Sequence, residues 1–573
     1  MSKLFQRKEA SWKAFFHLLH EAHLPWLFIG ITISISLISS SLGLLLPDYT
    51  ERIIDGDYGN RVMATFIGVI ILTAVVDFLV SFLQYSLNAR VAKHLREYIF
   101  GKILRLPIVE IEKNGSKELI SRLTTDSSAV GSLFSEILPN MISGGYYIVS
   151  SLVMIGKYSW KLGIIAISVG VVQLGLAFFS GRVVFKFNHK TQTKLSYLTE
   201  VVSEVMNHIS LIKVFLTEKS EQERAQNLSS DYYQTSFKAQ MVTNTFTYLS
   251  QFVTLLGSLF TIIAGGIMVT QNVISKGEWV AYFMFYYYMS QYLEMFPYYW
   301  DELKGLQGTV NRLSNISSQS EENLDEGIAL LNNENAISFE QVSFGYGEKT
   351  VLENISFSIP ETGITALVGK NGAGKSTILG LIERFYSPNS GKITYGQHNV
   401  ADFKLSDWRK NFAWVPQNIR LTEKTIRENL LYGCTKNYSD DEIIFYCQKV
   451  GLGDFITELP LGLDTKVEEF GENFSGGQRQ KIMIVRAILR GAKYLILDEH
   501  SSNLDTESSS KIAELLFELA KEKAVILVSH KMSYVSQADN ILVLNQGKIE
   551  AWGKHRDLLE KSLVYRNLYR QGV

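Results

Sequence analysis

Residues 369–377 read GKNGAGKST and carry the most specific chemistry in this sequence. They match the pattern G-x-x-x-x-G-K-[ST], in which glycines let backbone N–H groups close around phosphates. In such a loop Lys375 reaches the β- and γ-phosphates, and the Ser376 hydroxyl can bind Mg²⁺. The match could also be a glycine-rich turn, so the flanking residues decide between the two.

The flanking residues favour a phosphate-binding loop. Residues 364–368 (ITALV) predict a buried strand, and residues 378–385 predict a helix. A helix that begins directly after the loop turns the positive end of its dipole towards a phosphate. The order of strand, loop and helix is therefore the order that nucleotide binding requires.

Two acids and a small-residue turn add to this chemistry. Asp498 and Glu499 follow the apolar run 493–497. An aspartate at the carboxyl end of a strand suits the Mg²⁺ side of a nucleotide site, and a second carboxylate can orient or deprotonate the attacking water. Residues 475–478 (SGGQ) open a predicted helix and, taken alone, could be another anion-binding helix start or a turn without function.

The strand pattern of the second half predicts an α/β core. Residues 493–497 and 524–528 are short apolar runs of the buried parallel type, and residues 336–344 and 391–395 alternate as strands. The net charge of −1 gives no global basic field, so nucleic acid is not an expected partner. The two cysteines, Cys434 and Cys447, predict neither a structural disulfide nor a metal site.

Six apolar segments in the first half are long enough to cross a bilayer, because a ~30 Å hydrocarbon layer needs ~20 helical residues. They lie at residues 25–46, 63–83, 136–156, 161–181, 248–270 and 279–300. Basic residues concentrate in the connections between spans two and three and between spans four and five. By the positive-inside rule, both termini and these two long connections are cytoplasmic.

Helical spacing continues beyond the spans. Apolar residues recur at helical intervals in both long connections, so the helices should project into the cytoplasm. Their polar tips, residues 113–117 (KNGSK) and 208–217, could dock on the second half of the chain or be solvated loops. Ahead of the first span, Trp12, Phe15, Phe16 and Leu19 form one stripe, which predicts a helix in the membrane interface.

Two acids lie within spans, Asp77 in the second and Glu294 in the sixth. Burying a charge in lipid is costly, so both should face the bundle interior or an aqueous cavity. They could attract a cationic group on a substrate or form structural hydrogen bonds. Tyr282, Tyr286 and Met289 lie near one face of the sixth span and could line a cavity for an amphipathic cargo, although tyrosine also favours membrane interfaces.

A polar stretch at 311–335 divides the chain. The predicted domains are a six-span membrane domain with an N-terminal interfacial helix at 1–310, a linker at 311–335 and a nucleotide-binding domain at 336–573.

The ensemble of GKNGAGKST, FSGGQRQK at 474–481 and YLILDE at 494–499 resembles the nucleotide-binding domain of ABC transporters. Residues 96–126 (REYIFGKILRLPIVEIEKNGSKELISRLTTD) are similar to the first cytoplasmic loop of ABC exporters. The resemblance spans nearly the whole chain. It implies an exporter-type half-transporter, with a membrane α-helical bundle fused to an α/β P-loop domain.

The resemblance implies a role for each matching residue. Glu499 would be the catalytic base and His530 the switch histidine that contacts the γ-phosphate. Ser376, Gln417 and Asp498 would hold Mg²⁺, and Tyr346 would stack on adenine. The ATP-binding residues that it implies are Tyr346, Gly369, Asn371, Gly372, Gly374, Lys375, Ser376, Thr377, Gln417, Ser475, Gly476, Gly477, Gln478 and Asp505.

The family pattern also implies a dimer. Ser475 and Gly477 would bind the γ-phosphate of ATP held by the opposite subunit, so one chain cannot complete a site. A homodimer is favoured because every motif is present, and a heterodimer with a second ABC half-transporter is the alternative. The pattern is broken by Phe474 in place of the usual leucine and by His500 after Glu499, and neither change removes a catalytic group.

The expected function is ATP-driven export, with ATP and Mg²⁺ as cofactors, by alternating access of a dimer in a bacterial inner or plasma membrane. The expected cargo is amphipathic, a peptide or peptide-like natural product. The alternatives are a multidrug or lipid exporter and, from another class, an ATP-gated channel or sensor.

Overall fold

The structure is a computed structural model that describes residues 12–330, 336–347, 349–417, 420–498, 505–529 and 531–570. Its internal contacts divide the chain into two units, one made of Met1–Leu106 and Asn114–Ser320, the other of Pro107–Lys113 and Glu321–Val573. The first unit is helical, and the second combines helices with two sheets. The predicted fold class, a helical membrane bundle fused to an α/β domain, is confirmed.

Long helices dominate the chain up to Ser320. In chain order they are α1 (Trp12–Glu21), α2 (Trp26–Ile54), α3 (Asn60–Leu104), α4 (Ile108–Asn114), α5 (Ser116–Ser121), α6 (Ser127–Ser132), α7 (Leu138–Tyr158), α8 (Trp160–Asn207), α9 (Ile209–Phe215), α10 (Glu218–Thr270) and α11 (Lys276–Ser318). Two π-helical turns, Arg122–Asp126 and Leu133–Ile137, join α5, α6 and α7 into one continuous rod.

Among the described residues, five helical segments are long and apolar enough to cross a membrane. They are Trp26–Ile54, Asn60–Leu104, Ser116–Tyr158, Trp160–Asn207 and Glu218–Thr270. These five correspond to the first five predicted spans, the first helix beginning one residue after the predicted start. The sixth, residues 279–300, lies in α11, whose many tyrosines lower its hydropathy. The longest helices, α8 and α10, have 48 and 53 residues, or about 70–80 Å at 1.5 Å per residue, so they extend well beyond a bilayer.

The N-terminal helix buries its apolar stripe against protein. Phe15, Leu18 and Leu19 are at most 2% exposed, and α1 packs on α11. The sequence predicts that this stripe lies in the membrane interface, but α11 covers most of it. Phe16, which is 61% exposed, is the member of the stripe that faces outward. The side chain of Trp12 lies outside the described residues.

The second unit contains two sheets. Its strands are β1 (Ile337–Tyr346), β2 (Lys349–Ile359), β3 (Gly363–Gly369), β4 (Ser390–Tyr395), β5 (His398–Asn399), β6 (Phe412–Val415), β7 (Tyr494–Asp498), β8 (Ala524–Val528), β9 (Asn540–Asn545) and β10 (Lys548–Gly553). One sheet is antiparallel, with the order β2-β1-β4-β5, and the other has the order β10-β9-β3-β8-β7-β6. In the larger sheet all pairs are parallel except β10 with β9.

Helices and the antiparallel sheet pack against the larger sheet, so that β7 and β8 are buried along their whole length. The second unit contains ten α-helices after Glu321 among the described residues. They are α12 (Lys375–Ile382), α13 (Leu405–Lys410), α14 (Ile426–Leu430), α15 (Asp440–Lys449), α16 (Gly453–Glu458), α17 (Gly476–Leu489), α18 (Thr506–Ala520), α19 (Met532–Val535), α20 (His555–Lys561) and α21 (Leu563–Arg570). The strands predicted at 336–344, 364–368, 391–395, 493–497 and 524–528 each match an observed strand to within two residues.

The division between the units falls inside the predicted linker, 311–335. The last turns of α11 reach Ser318, because Leu313 and Ile316 bury themselves on its inner face. Beyond that helix, Glu322 and Ile328 already belong to the second unit, where Glu322 accepts hydrogen bonds of 2.7 and 2.8 Å from Arg409. Residues 331–335 lie outside the described residues.

Candidate nucleotide-binding site

The sequence motifs meet at one edge of the larger sheet. Val528 of β8 lies opposite Leu367 of β3 on one side and Asp498 of β7 on the other. Parallel strands end at the same edge, so the segments that follow β3, β6, β7 and β8 all emerge there. In open α/β sheets this edge is where ligands bind.

The phosphate loop has the backbone that its glycines permit. Gly372 and Gly374 have φ angles of +79° and +104°, which side chains disfavour. A Cβ on Gly374 would also lie 2.5 Å from Leu352 Cδ2. The Nζ of Lys375 donates to the carbonyls of Gly369 at 2.8 Å and Lys370 at 3.3 Å, which keeps the ammonium inside the curve of the loop.

Helix α12 begins at Lys375, inside the motif and three residues before the predicted helix start. The backbone N–H groups of its first turn therefore belong to the loop itself. Because those groups have no partner within the helix, they are available to a bound anion. Asn371 lies in the loop after β3. Ser376 and Thr377 lie in the first turn of α12.

A hydroxyl and a carboxylate converge beside this turn. Ser376 Oγ lies 3.5 Å from Asp498 Oδ2, and Asp498 is 6% exposed at the end of β7. Oxygen ligands of these two types are those that Mg²⁺ prefers. Gln417 follows β6 at the same edge of the sheet and is exposed. Glu499 and His530, the predicted catalytic pair, lie outside the described residues.

An aromatic group stands at the other side of the loop. Tyr346 ends β1, its hydroxyl lies 3.4 Å from Thr377 Oγ1, and its side chain is 47% exposed. Edge-to-face contacts with Phe344 at 5.1 Å and Tyr386 at 5.3 Å fix the ring from two sides. The free face of Tyr346 can therefore stack on a planar base.

Tyr386 is a residue that sequence reasoning missed. Its ring packs on Tyr346, and its hydroxyl donates to the carboxylate of Glu112 in α4, at 3.1 and 3.3 Å to the two oxygens. Residues Pro107–Lys113 group with the second unit. The only available signal in the sequence was the position of Tyr386 after the phosphate-loop helix.

The SGGQ turn forms the start of α17. Ser475 Oγ accepts from the Gln478 N–H at 3.2 Å, and Gln478 Oε1 accepts from the Ser475 N–H at 2.8 Å. This reciprocal cap holds the backbone of Gly476 and Gly477 in the first helical turn. Ser475 itself is exposed on the surface of the chain.

The residue before this turn is explained by packing. Phe474 is 4% exposed and lies edge-to-face with Phe455 of α16, with ring centroids 6.0 Å apart. A smaller leucine would fill less of this space. Asp505 caps α18 by accepting from the Ser508 N–H at 3.0 Å, and hydrogen bonds from the Ser508 side chain and backbone lower the pKa of Asp505 to about 2.

Comparisons with known proteins agree with this geometry. Residues 352–502 match the family model "ABC transporter", and residues 26–293 match the family model "ABC transporter transmembrane region". The chain belongs to the ABC transporters. It is an exporter-type half-transporter, in which a transmembrane domain and an ABC ATPase domain share one chain.

Two relatives illustrate the range of cargo in this part of the family. The transporter is 31% identical over 532 residues to an ATP-dependent lipid A-core flippase of Haemophilus influenzae (strain 86-028NP), covering 89% of this chain and 87% of the relative. It is 29% identical over 564 residues to a multidrug resistance ABC transporter ATP-binding and permease protein of Lactococcus lactis subsp. cremoris (strain MG1363), covering 97% and 95%.

A solved structure shares the fold of the transporter. The structure of a bacterial Atm1-family ABC exporter with ATP bound superposes with a TM-score of 0.82 at 22% sequence identity, covering 95% of this chain and 99% of that one. The relatives therefore support ATP-driven export. The peptide cargo that the sequence suggests finds no support among them, and the alternative of a lipid or multidrug exporter is better supported.

Three of the predicted substrate residues of the transporter are buried inside the first unit. Tyr282, Tyr286 and Met289 are at most 1% exposed and belong to one apolar cluster of the first unit. The hydroxyl of Tyr282 donates to the carbonyl of Leu162 at 2.9 Å, and that of Tyr286 donates to the carbonyl of Thr254 at 3.1 Å. In this conformation the three side chains pack between helices, and their contact with cargo stays a prediction.

Proposed function

We propose that two copies of this transporter form a homodimer that exports a hydrophobic, amphipathic small molecule or lipid, driven by ATP. The observation that carries the proposal is the fusion of a phosphate loop with a converging Ser376 and Asp498 to a bundle of membrane-spanning helices. The two relatives named for lipid and multidrug transport point to the class of cargo.

The residues of the loop divide the work of binding ATP. Lys375 and the N–H groups of the first turn of α12 neutralise the phosphates, while Tyr346 stacks on the adenine. Glu499, which lies outside the described residues, would take the proton of the attacking water, and His530 would contact the γ-phosphate. This assignment of the last two residues rests on their match to the family motifs.

Mg²⁺ fits the donor set of this site. Ser376 and Asp498 supply a hydroxyl and a carboxylate within 3.5 Å of each other, and Gln417 follows the neighbouring strand β6. The ion would neutralise charge on the phosphates, and these side chains would hold it. The phosphate loop would orient the γ-phosphate relative to them.

The position of the SGGQ turn supports the proposed dimer. Ser475 and Gly477 lie at the start of a helix on the surface of the chain, and the side chains of Ser475 and Gln478 form hydrogen bonds within this cap. An exposed helix start with a serine hydroxyl suits the γ-phosphate of ATP bound to a second copy. Each ATP would then lie between the loop of one subunit and the SGGQ turn of the other.

The tip of the α8–α10 hairpin offers a second contact between the subunits. Its short helix α9 packs on α8, and it exposes the apolar residues Leu211, Val214, Phe215 and Leu216 by 56–80%. We infer that this tip docks on the nucleotide-binding unit of the partner subunit. Closure of the two ATP sites would then move the helices and switch the cavity from inward- to outward-facing.

A second function is an ATP-gated channel or sensor. It would need ATP binding without sustained turnover. The presence of Glu499 and His530 in the sequence favours the transporter.

The test uses full-length protein in proteoliposomes, as wild type and as Glu499→Gln. We expect wild-type ATPase activity to rise several-fold with hydrophobic drugs or lipids and to change little with peptides. We expect the variant to lose more than about 100-fold in turnover, which is the size of a general-base contribution. ATP-dependent accumulation of a fluorescent amphiphile inside inverted vesicles is the second readout. A wild-type protein that hydrolyses ATP but accumulates none of the panel would contradict export. Activity that appears only with a second ABC chain would replace the homodimer with a heterodimer.

A further inference from the structure

The two acids within the spans differ in their surroundings. Glu294 of α11 accepts a hydrogen bond from Thr254 Oγ1 of α10 at 2.5 Å. Thr254 Oγ1 in turn accepts a hydrogen bond from Gln173 Nε2 of α8 at 2.7 Å. This chain of hydrogen bonds ties three helices together. Glu294 therefore has a structural role that needs no ligand.

Asp77 of α3 lies instead on the surface of the protomer. Its side chain is exposed, and one carboxylate oxygen accepts a hydrogen bond from the Ser39 hydroxyl of α2. Counted at 1.5 Å per residue, Asp77 is about 9 Å from the cytoplasmic end of its predicted span and Ser39 about 21 Å from the start of its own. The two counts bracket the middle of a ~30 Å hydrocarbon layer.

A carboxylate at this depth is costly in lipid, so Asp77 must face a cavity or the partner subunit in the dimer. The spans offer no counter-charge from either copy. Apart from Lys161 at the first position of the fourth span, the six predicted spans contain no lysine, arginine or histidine. In a homodimer no basic residue of the spans can balance the Asp77 carboxylate, so a cationic ligand is the partner that would keep it ionised.

Aromatic rings stand beside this carboxylate. Tyr147 of α7 and Tyr292 of α11 are stacked, with ring centroids 4.5 Å apart and planes at 16°. Tyr288 meets the ring of Tyr147 edge-on at 5.9 Å. The Tyr147 hydroxyl contacts α2 one turn from Ser39, because a Cβ on Gly43 would clash with that hydroxyl. The tyrosine pair and the Asp77 carboxylate therefore meet the same side of α2. Aromatic faces next to a carboxylate favour an organic cation, which gains from the rings as well as from the charge.

We infer that Asp77, Tyr147 and Tyr292 form a binding site for the positive charge of a lipophilic organic cation in the transport cavity. The inference rests on the proposed function and names its cargo more narrowly. It separates this transporter from an exporter of anionic lipids, because negatively charged spans repel a phosphate. Ser39 positions the carboxylate, and the tyrosine pair covers the apolar body of the cation.

The probe is tetraphenylphosphonium, compared with tetraphenylborate, which has the same four-phenyl shape and the opposite charge. Binding of each radiolabelled ion to wild-type dimers in nanodiscs, with empty nanodiscs subtracted, gives two dissociation constants. We expect the cation to bind at least tenfold more tightly than the anion. Asp77→Asn should weaken cation binding about tenfold or more, and Asp77→Glu should restore part of it.

Glu294→Gln is the matched control, since it also removes a carboxylate from a span. It should keep the preference for the cation. Equal or tighter binding of the anion by the wild type, or unchanged cation binding in Asp77→Asn, overturns the inference. If either result occurs while the wild type still accumulates a neutral amphiphile with ATP, the cation site fails and the proposed function stands. If Asp77→Asn does not assemble, two measurements still test the inference. They are the affinities of the wild type for the two ions and the affinity of Asp77→Glu for the cation.

Discussion

Glu383 is a buried acid at the end of α12, the helix that Lys375 begins. It is 7% exposed, and burial raises the pKa of its carboxyl from 4.5 to about 7, although the charges of Arg409 and Arg490 oppose this rise. Arg409 is itself committed to Glu322, with hydrogen bonds of 2.7 and 2.8 Å. The phosphate-loop helix therefore ends on a carboxyl group that burial favours in its neutral form.

This raised pKa predicts how the second unit responds to pH. Between pH 4.5 and about 7 the folded state holds a proton that the unfolded chain releases, so stability falls as the pH rises through this window. Glu383→Gln mimics the neutral form and should remove this loss, which amounts to at most about 3 kcal/mol for a shift of this size. Its melting temperature should exceed that of the wild type by several degrees at pH 8 and by little at pH 4.5.

The measurement is thermal unfolding of the full-length protein from pH 4.5 to pH 8, followed by a probe of the second unit. Glu353→Gln serves as a control, because Glu353 is exposed and forms an ion pair of 3.2 Å with the equally exposed Lys548. An identical pH slope in wild type and Glu383→Gln would show that Glu383 is ionised in the folded protein.

At the scale of elements, one ion pair joins α11 to the rod of α5, α6 and α7. Asp126, in the π-helical turn Arg122–Asp126, accepts from Arg312 Nη2 at 2.6 Å and from its Nε at 2.8 Å. Asp126 is 3% exposed, while the Arg312 side chain is 46% exposed. The pair links the cytoplasmic extension of the third span to the last helix before the second unit.

We expect Arg312→Ala to destabilise the first unit by about 2–3 kcal/mol, because it leaves the Asp126 carboxylate buried without this partner. The value lies below that of a fully buried pair, since Arg312 is partly solvated. The double change Asp126→Asn with Arg312→Gln should cost less than the two single changes together. Unfolding temperature and resistance to limited proteolysis in detergent measure the effect.

Arg224→Ala is the matched control, because Arg224 forms exposed ion pairs with Glu204 and Glu221 on the α8–α10 hairpin. Exposed pairs of this kind contribute little. If Arg312→Ala is as harmless as Arg224→Ala, the contact between α11 and the rod does not depend on this pair.

Several elements depart from what their sequences predict. Residues 208–217 read as a polar turn, yet Ile209–Phe215 forms the helix α9. Residues 311–318 read as a linker, yet they complete α11. Tertiary contacts stabilise both segments, since α9 packs on α8 and the last turns of α11 bury Leu313 and Ile316. Such contacts are absent from a local pattern.

At the scale of the whole molecule, the proposed composite ATP sites predict complementation between two inactive variants. Lys375→Ala disables the loop of one subunit and Ser475→Arg disables the SGGQ turn. In a dimer that contains one chain of each kind, one site carries both defects and the other carries neither. Mixed dimers isolated through both tags should therefore have about half of wild-type ATPase activity when each site turns over independently, since one of their two sites works.

The measurement is ATPase activity after subunit exchange or co-expression of the two tagged variants, with purification through both tags. Each variant alone provides the baseline. Mixed dimers that remain as inactive as the single variants would mean that each chain completes its own site, or that one working site is not enough.

The sequence determined the chemistry and the class of the transporter, because both depend on local order. GKNGAGKST between a strand and a helix, Asp498 at the end of an apolar run, and apolar segments of bilayer length each have meaning within a short window of residues. The tertiary structure alone decided which of these groups share a space. It placed Asp498 against Ser376 and buried Tyr282, Tyr286 and Met289. It also placed Glu294 in a hydrogen-bond network between helices and left Asp77 exposed. Those outcomes depend on contacts between residues far apart in the chain, which periodicity along a single segment cannot express.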